Sequence, residues 1–177
     1  MAHIPEDRHR RGLVLDFSVA ENLVLCRHRR APATKGGLLD RTGMRRHAAM
    51  LIARHDIRPP SPGAAGRALS GGNQQKVVVA REFERDAVLL VCAQPTRGVD
   101  VGAIEFIHRG IIAQRDAGRA VLLVSADLGE LLSLADRIGV MYGGRLVDIV
   151  PAEETDEREL GALMTGESPA ARLVRRV

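Results

Sequence analysis

Two short segments of the chain are almost the same string: Ala87-Val88-Leu89-Leu90-Val91-Cys92-Ala93 and Ala120-Val121-Leu122-Leu123-Val124-Ser125-Ala126. A continuous apolar run of this kind, rich in valine, reads as a strand buried on both faces. Between the two lies a helical pattern, with Ile104, Ile107 and Ile111 at i, i+3 and i+7, and Gly118 follows its last turn as a cap. Strand, helix, strand is a βαβ unit, whose usual consequence is a parallel sheet, so the fold class is α/β.

The rest of the chain is organised around that unit. Ser70 reads as the N-cap of a helix that continues through Val77, Val78, Ala80 and Phe83 without a breaker. A helix over Leu128–Ala135 follows the second strand. Arg137–Tyr142 and Arg145–Val150 flank Gly143-Gly144, a strong two-residue hairpin signal. A short helix over Glu157–Met164 comes next. Upstream, helical patches at Val19–Cys26 and Met44–His55 alternate with loops at Ala31–Gly37 and Arg58–Gly63, where prolines forbid helix continuation. A mainly helical part, about Ser18–Glu84, thus precedes an α/β part, about Asp86–Val150. The expected division is 1–85, 86–166 and a basic tail over 167–177.

Composition narrows the function classes. The chain has 177 residues, 45% of them hydrophobic, enough for a sizeable core in one domain or a fragment of a larger one. Aromatic residues are only 2%, which argues against a surface that stacks nucleic-acid bases. The net charge of +4 is a modest excess, almost all of it arginine, since Lys35 and Lys76 are the only lysines. Cys26 and Cys92 make no disulfide framework, and Cys92 reads as a buried free thiol. No apolar stretch approaches the roughly 18 residues needed to cross a bilayer, and the N-terminus lacks an apolar signal segment. A soluble, cytoplasmic protein is expected, with any membrane role mediated by a partner.

The sharpest motif is Leu69-Ser70-Gly71-Gly72-Asn73-Gln74-Gln75-Lys76. It puts a hydroxyl and two glycines at the first turn of a helix, where unpaired N–H groups and the positive dipole end favour an anion. The glycines are expected to let that anion approach the backbone. Ser-Gly-Gly alone would more often be an ordinary capped helix; the whole string ahead of a βαβ unit reads as a phosphate contact.

That string resembles the signature motif of ABC-transporter ATPase subunits, and its Asn-Gln-Gln-Lys ending is similar to the simple-sugar import branch, whose subunits carry two nucleotide-binding domains in tandem. Val88–Val91 with Ala93-Gln94-Pro95-Thr96 occupies the place of the Walker B strand. Arg97-Gly98-Val99-Asp100 resembles the D-loop, Val121–Asp127 the strand leading to the switch histidine, and Ile4-Pro5-Glu6-Asp7-Arg8 the Q-loop segment of the second domain. Ala93-Gln94 with Thr96-Arg97-Gly98 is most similar to subunits for nucleoside-type import. The resemblance implies a partial P-loop NTPase (ABC ATPase) fold: a parallel-sheet core, a helical subdomain and a C-terminal hairpin.

Departures from the pattern matter as much. The chain carries no Gly-x-x-x-x-Gly-Lys-[Ser/Thr] string and starts at about the Q-loop position, Glu6. Ala93 stands where a carboxylate would organise Mg²⁺, Gln94 where a glutamate would polarise water, and Ala126 where the switch histidine would sit. The family hydrolyses ATP to drive transport; this chain alone is expected to be inactive, to bind no ATP or Mg²⁺ by itself, and to hold no catalytic or metal-ligating residue. The signature is the intact element. The resemblance implies that Ser70, Gly71 and Gly72, supported by Gln74, contact ATP bound on a facing domain, with Asp100 at the dimer seam. It implies ATP and Mg²⁺ in an assembled transporter, with a complete nucleotide-binding domain, membrane permease subunits and, indirectly, a solute-binding protein as partners. The place would be the inner face of the plasma membrane, and no nucleic acid is involved. The isolated chain is expected to be marginally stable, its sheet lacking neighbours.

Weaker constellations fall away. Six histidines show no metal-ligand spacing, and Cys26-x-His28 lacks two further ligands. Arg8–Arg11, Arg27–Arg30 and Arg172, Arg175 and Arg176 read as solvated arginine faces. Glu21 and Glu130 read as helix-surface residues, and Ser125 has no partners for a nucleophilic role. Two other readings stay open: a non-catalytic truncated or regulatory interaction module, and a DNA-acting ABC-type ATPase, which would need the long heptad insertions or zinc hooks that the chain lacks.

Overall fold

The computed structural model describes residues 1–29 and 31–166; the expected basic tail and Arg30 lie outside the described residues. The chain divides into two compact units, Met1–Val124 and Ser125–Val177.

The first unit carries, in chain order, β1 (Ala2–Ile4), a π-helical turn (Arg8–Gly12), α1 (Val19–Leu23), β2 (Thr34–Lys35), β3 (Leu38–Leu39), α2 (Arg41–Arg54), a 3₁₀ turn (Gly66–Ala68), α3 (Gly71–Phe83), β4 (Leu89–Ala93), α4 (Val101–Asp116) and β5 (Ala120–Val124). The βαβ unit is present: β4 and β5 run parallel, with Cys92 opposite Leu123, and α4 is the crossover. A strand that the apolar runs did not reveal, β1, pairs parallel to the other side of β4, giving the order β1-β4-β5. Three residues are too few to show a periodicity, so β1 is legible only through its partner.

Each helix begins where the sequence supplies a cap. Ser18 and Glu21 form a reciprocal capping box on α1, Asp40 caps α2, Ser70 caps α3 and Asp100 caps α4. Gly118, at φ +85°, ends α4 in the left-handed region, with its N–H on the Arg115 carbonyl at 2.8 Å. The patch expected to be helical over Val19–Cys26 stops at Leu23, and Cys26 takes φ +64°. The loop expected at Ala31–Gly37 contains part of a small hairpin, β2 with β3.

α3 is the spine of this unit. Val77, Val78, Val79, Ala80 and Phe83 are all buried, packed with Ile4, Val19, Leu51, Leu90 and Ile107 in the core. Two of its three charged residues, Arg81 and Glu82, are buried as well. Arg81 donates from Nε to Glu82 Oε1 at 2.8 Å and from Nη1 to the Gly12 and Asn22 carbonyls at 2.8 and 3.3 Å. Glu82 Oε2 accepts from Arg85 at 2.9 Å and from the His3 N–H at 3.1 Å. Paired and hydrogen-bonded charges of this kind are the tolerated form of buried charge.

One expectation fails. The two apolar runs are not both buried on both faces: Leu90 and Cys92 of β4 are buried, but Leu122 and Val124 of β5 are 54% and 50% exposed and Val88 is 84% exposed. β5 is an edge of the sheet among the described residues. An apolar run states that a strand tolerates cover on both faces; the cover itself comes from layers that the run does not encode.

The second unit contains α5 (Leu128–Leu134), β6 (Arg137–Tyr142), β7 (Arg145–Pro151), a 3₁₀ turn (Ala152–Glu154) and α6 (Glu157–Met164). β6 and β7 pair antiparallel, with Gly143 and Gly144 at φ +54° and +75°, both left-handed as a two-residue turn demands. Ile138, Val140, Val150, Leu160 and Leu163 form its core. Glu130 is not the surface residue expected: it is buried. α5 spans only about two turns. It is packed by α6 and by the 3₁₀ turn, so residues distant in sequence cover a side that helical periodicity assigns to solvent.

Candidate functional site: the N-terminus of the third helix

The first turn of α3 is assembled from side chains that lock its shape and leave its tip open. Leu69 is buried and anchors the approach, while Ser70 is exposed. Ser70 Oγ accepts from Asn73 N at 3.4 Å and from Asn73 Nδ2 at 2.9 Å. Asn73 Oδ1 in turn accepts from Arg58 N at 2.6 Å, which ties the proline-rich loop to the helix start. Gln74 is buried; its Nε2 donates to the Gly66 carbonyl at 3.1 Å. Its Oε1 is left as acceptor for His9 Nε2 at 2.7 Å, so that ring nitrogen carries the proton. Gln75, also buried, donates to the Pro95 carbonyl at 2.7 Å and holds the segment after β4 against α3.

The two glycines serve a different purpose from the one expected. Gly72 is buried, and a Cβ there would stand 2.3 Å from Asp100 Oδ2 and 3.3 Å from Ala103 Cβ. A Cβ on Gly71 would stand 2.9 Å from Arg8 Nη2 and 3.3 Å from the Gly98 carbonyl. The missing side chains admit the chain's own 97–100 segment rather than standing open for an anion. The first-turn N–H groups remain without an intrahelical acceptor, as at any helix start, and Ser70 remains the accessible hydroxyl.

The other sequence-selected residues are placed as follows. Ala93 ends β4, half-buried. Gln94 takes φ +48° and donates its N–H to the Val124 carbonyl at 2.7 Å, so the chain leaves the sheet sharply at that point. Asp100 is exposed and caps α4 through Oδ1 and Ala103 N at 2.9 Å, beside Gly72. Glu6 is exposed and pairs with Arg97 Nη1. Ala126 belongs to the second unit, next to Asp127, whose N–H donates to Ser125 Oγ at 3.1 Å.

Sequence reasoning put Arg8 in the Q-loop segment and Glu6–Arg11 toward the permease, and gave Arg8 and His9 no contact with the start of α3 or with residues 97–98. Arg8 donates from Nη1 to the Arg97 carbonyl at 3.0 Å and from Nη2 to the Gly98 carbonyl at 3.2 Å. The signal available was their place directly after Glu6; an arginine-rich composition made them read as solvated charge. Asp7 caps their turn, and the Arg10 and His9 N–H groups hold its carboxyl below the usual range.

For a metal, the strand end offers nothing suitable: Ala93 has no donor and Gln94 only a neutral amide. No group of three or more His, Cys, Asp or Glu among the described residues could hold an ion. The turn at Ser70 does suit an oxyanion. Separately, a groove of about 590 Å³ in the helical part is lined by Phe17, Val24, Leu39, Arg41, Met44 and Arg45. Phe17 and Leu39 stand exposed beside it. No described helix is long and apolar enough to cross a membrane.

The three-stranded parallel sheet, the crossover, the serine-capped helix and the C-terminal hairpin together define a class. The fold is that of an ABC ATPase cassette. It matches a dimeric ATP-binding cassette in a post-hydrolysis state bound to ADP and Pi with a TM-score of 0.67 and 18% identity, over 85% of this chain and 62% of that one. A dimeric bacterial ABC transporter cassette matches at 0.68 and 19%, over 86% and 62%. The chain is also similar, over most of its length, to parts of the ATP-binding proteins of nucleoside and sugar importers. It is 51% identical over 166 residues to the guanosine import ATP-binding protein NupO of Bacillus subtilis, covering 94% of this chain and 32% of that protein. It is 48% identical to the nucleoside import ATP-binding protein NupA of Lactococcus lactis, covering 94% and 33%. To the ribose import ATP-binding protein RbsA 1 of Streptomyces avermitilis it is 44% identical over 160 residues, covering 90% and 30%. The chain thus spans about a third of the length of these relatives. No family model matches it.

Proposed function

We propose that the chain corresponds to the C-terminal part of the second nucleotide-binding domain of an importer's ATP-binding subunit. In this reading it presents Ser70 and the first turn of α3 to ATP held by a facing nucleotide-binding domain. The supporting observation is the contrast at that turn: Ser70 is exposed while Asn73, Gln74 and Gln75 are tied to Arg58, Gly66, His9 and Pro95. A fixed hydroxyl beside first-turn N–H groups suits a phosphate arriving from outside. Ala93 and Gln94 supply neither a metal ligand nor a base, so the ATP and Mg²⁺ of the assembly belong to the facing domain. The groove beside Phe17 and Leu39 is the surface for the permease, which places the chain on the cytoplasmic face of the membrane. A solute-binding protein acts only through that permease. Nucleosides are the favoured solute class, because the two relatives at 51% and 48% identity are named for guanosine and nucleoside import.

The test is steady-state ATP hydrolysis by an assembly containing a complete facing domain and the permease. Ser70→Arg puts a long cation where the phosphate would sit and removes the helix cap. Loss of a preorganised contact of this kind costs about 10²-fold in rate. Rates within about twofold of the parent, with Ser70→Arg folded, would refute the reading.

A further inference from the structure

The π-helical turn after Glu6 holds the start of α3, which the proposed function turns toward a facing domain, and the segment leading to Asp100, expected at the same seam. Arg8 spends its two terminal nitrogens on successive carbonyls, Arg97 O at 3.0 Å and Gly98 O at 3.2 Å. Gly98 sits at φ +65°, a left-handed bend that turns the segment toward Asp100. The same Arg8 Nη2 and the Gly98 carbonyl crowd Gly71, within 2.9 and 3.3 Å of where its Cβ would be. The next residue, His9, bonds Gln74 one turn into α3 at 2.7 Å. Two consecutive side chains therefore fasten residues 97–98 and 74 to one turn, and Asp7 fixes that turn through the N–H groups of His9 and Arg10, each at 3.0 Å.

We propose that Arg8 is a positioning residue: its guanidinium fixes the Arg97 and Gly98 carbonyls against Gly71, so that Ser70 and Asp100 meet a facing domain as one rigid surface. Displacement of the Glu6–Gly12 turn then moves both. Arginine suits the role because its planar fork addresses two acceptors at once, whereas a lysine ammonium is a compact point charge. The proposal rests on the reading of Ser70 as a contact to a facing domain.

Hydrogen exchange on the full chain tests it. In Arg8→Ala, the hydrogen-bonded amides of Asn73, Gln74, Arg97 and Ala103 should exchange roughly tenfold faster as the charge-assisted bonds are lost. Amides of β6 and β7 serve as the reference and should change less than about twofold. Arg8→Lys should give an intermediate acceleration of roughly threefold, and it carries the test if Arg8→Ala does not fold. Arg97→Ala removes the ion pair to Glu6 but keeps the carbonyl, so its effect should stay under about twofold. In the assembly, Arg8→Lys should lower kcat while KM for ATP stays within about twofold, because the nucleotide is held elsewhere. Unchanged exchange at Arg97 and Ala103, or acceleration spread evenly over Met1–Val124, would overturn the proposal. Failure of the underlying reading shows differently: Ser70→Arg would leave hydrolysis intact, while the exchange pattern would still decide what Arg8 holds.

Discussion

A carboxylate introduced at position 72 provides a quantitative test of how the signature turn is packed. Gly72→Asp places a Cβ 2.3 Å from Asp100 Oδ2, so the Asp100 side chain must swing away. That movement gives up its cap on Ala103 N, worth about 1 kcal/mol. Two carboxylates about 4 Å apart repel by about 1 kcal/mol in water and about 4 at an effective dielectric constant of 20. Asp100 is exposed, so the lower figure governs. Against these stand about 0.3–1 kcal/mol from a negative charge in the first helical turn. The net expectation is a destabilisation of about 1–2 kcal/mol for Gly72→Asp. Gly72→Ala shares the steric term but not the charge, and the helix propensity of alanine offsets up to about 1 kcal/mol, so it should lie within about 1 kcal/mol of the parent. Urea unfolding of the chain at low and high salt measures both. The repulsive part should shrink in about 1 M salt, where the screening length is about 3 Å. A double-mutant cycle with Asp100→Asn isolates it, with an expected coupling of about 1 kcal/mol. Gly72→Asp as stable as the parent, with no coupling to Asp100→Asn, would refute the packing argument. The result bears on the proposed function as well: a loss of ATP hydrolysis in the assembly on Gly72→Asp would report an internal clash, so Ser70 is the position that interrogates the proposed phosphate contact.

Two further outcomes follow from the buried groups. Arg81→Met leaves the Gly12 and Asn22 carbonyls without their donor and Glu82 with only Arg85 and His3, and should cost about 3–5 kcal/mol in urea unfolding; a cost below about 1 kcal/mol would show the pair to be dispensable. Burial disfavours the charged forms of His55 and His47 and is the chief reason both titrate below the ordinary imidazole value of about 6.5. The unfolded chain therefore takes up protons first, so stability is complete above about pH 6.5 and declines as pH falls below it toward the folded values. His55→Gln should flatten that decline, and a stability that rises between about pH 7 and 5 would contradict the assignment.

What the sequence made legible has a common physical basis. Ser70 and the Gly143-Gly144 turn are local devices, in which a side chain or a φ angle acts within three or four residues of itself, and each stands where its residue type requires. The crossover between β4 and β5 was legible because two matching apolar runs and one helical period suffice to specify it. β1 was not, since three residues take their conformation from pairing with Leu90–Cys92. The exposure of Leu122 and Val124 and the burial of Glu130 were missed for the same reason, because each depends on which distant layer is or is not there.

The signature turn shows this division within a single motif. Its serine could be read from the sequence because capping is a contact between neighbours: Ser70 Oγ meets Asn73. Its glycines were read in the same local terms, as clearance for a ligand. Gly72 has as its neighbour Asp100, and Gly71 has Arg8 and Gly98. None of these lies near the motif in sequence. A glycine announces that something comes close, and only the fold says what. Here the close approach is made by the residues that read as the D-loop and by the turn that follows Glu6. The stretch that reads as an independent phosphate site is therefore one wall of a three-segment joint. A substitution at either glycine perturbs the joint before it can perturb any ligand, whereas Ser70, exposed at its rim, does not close it.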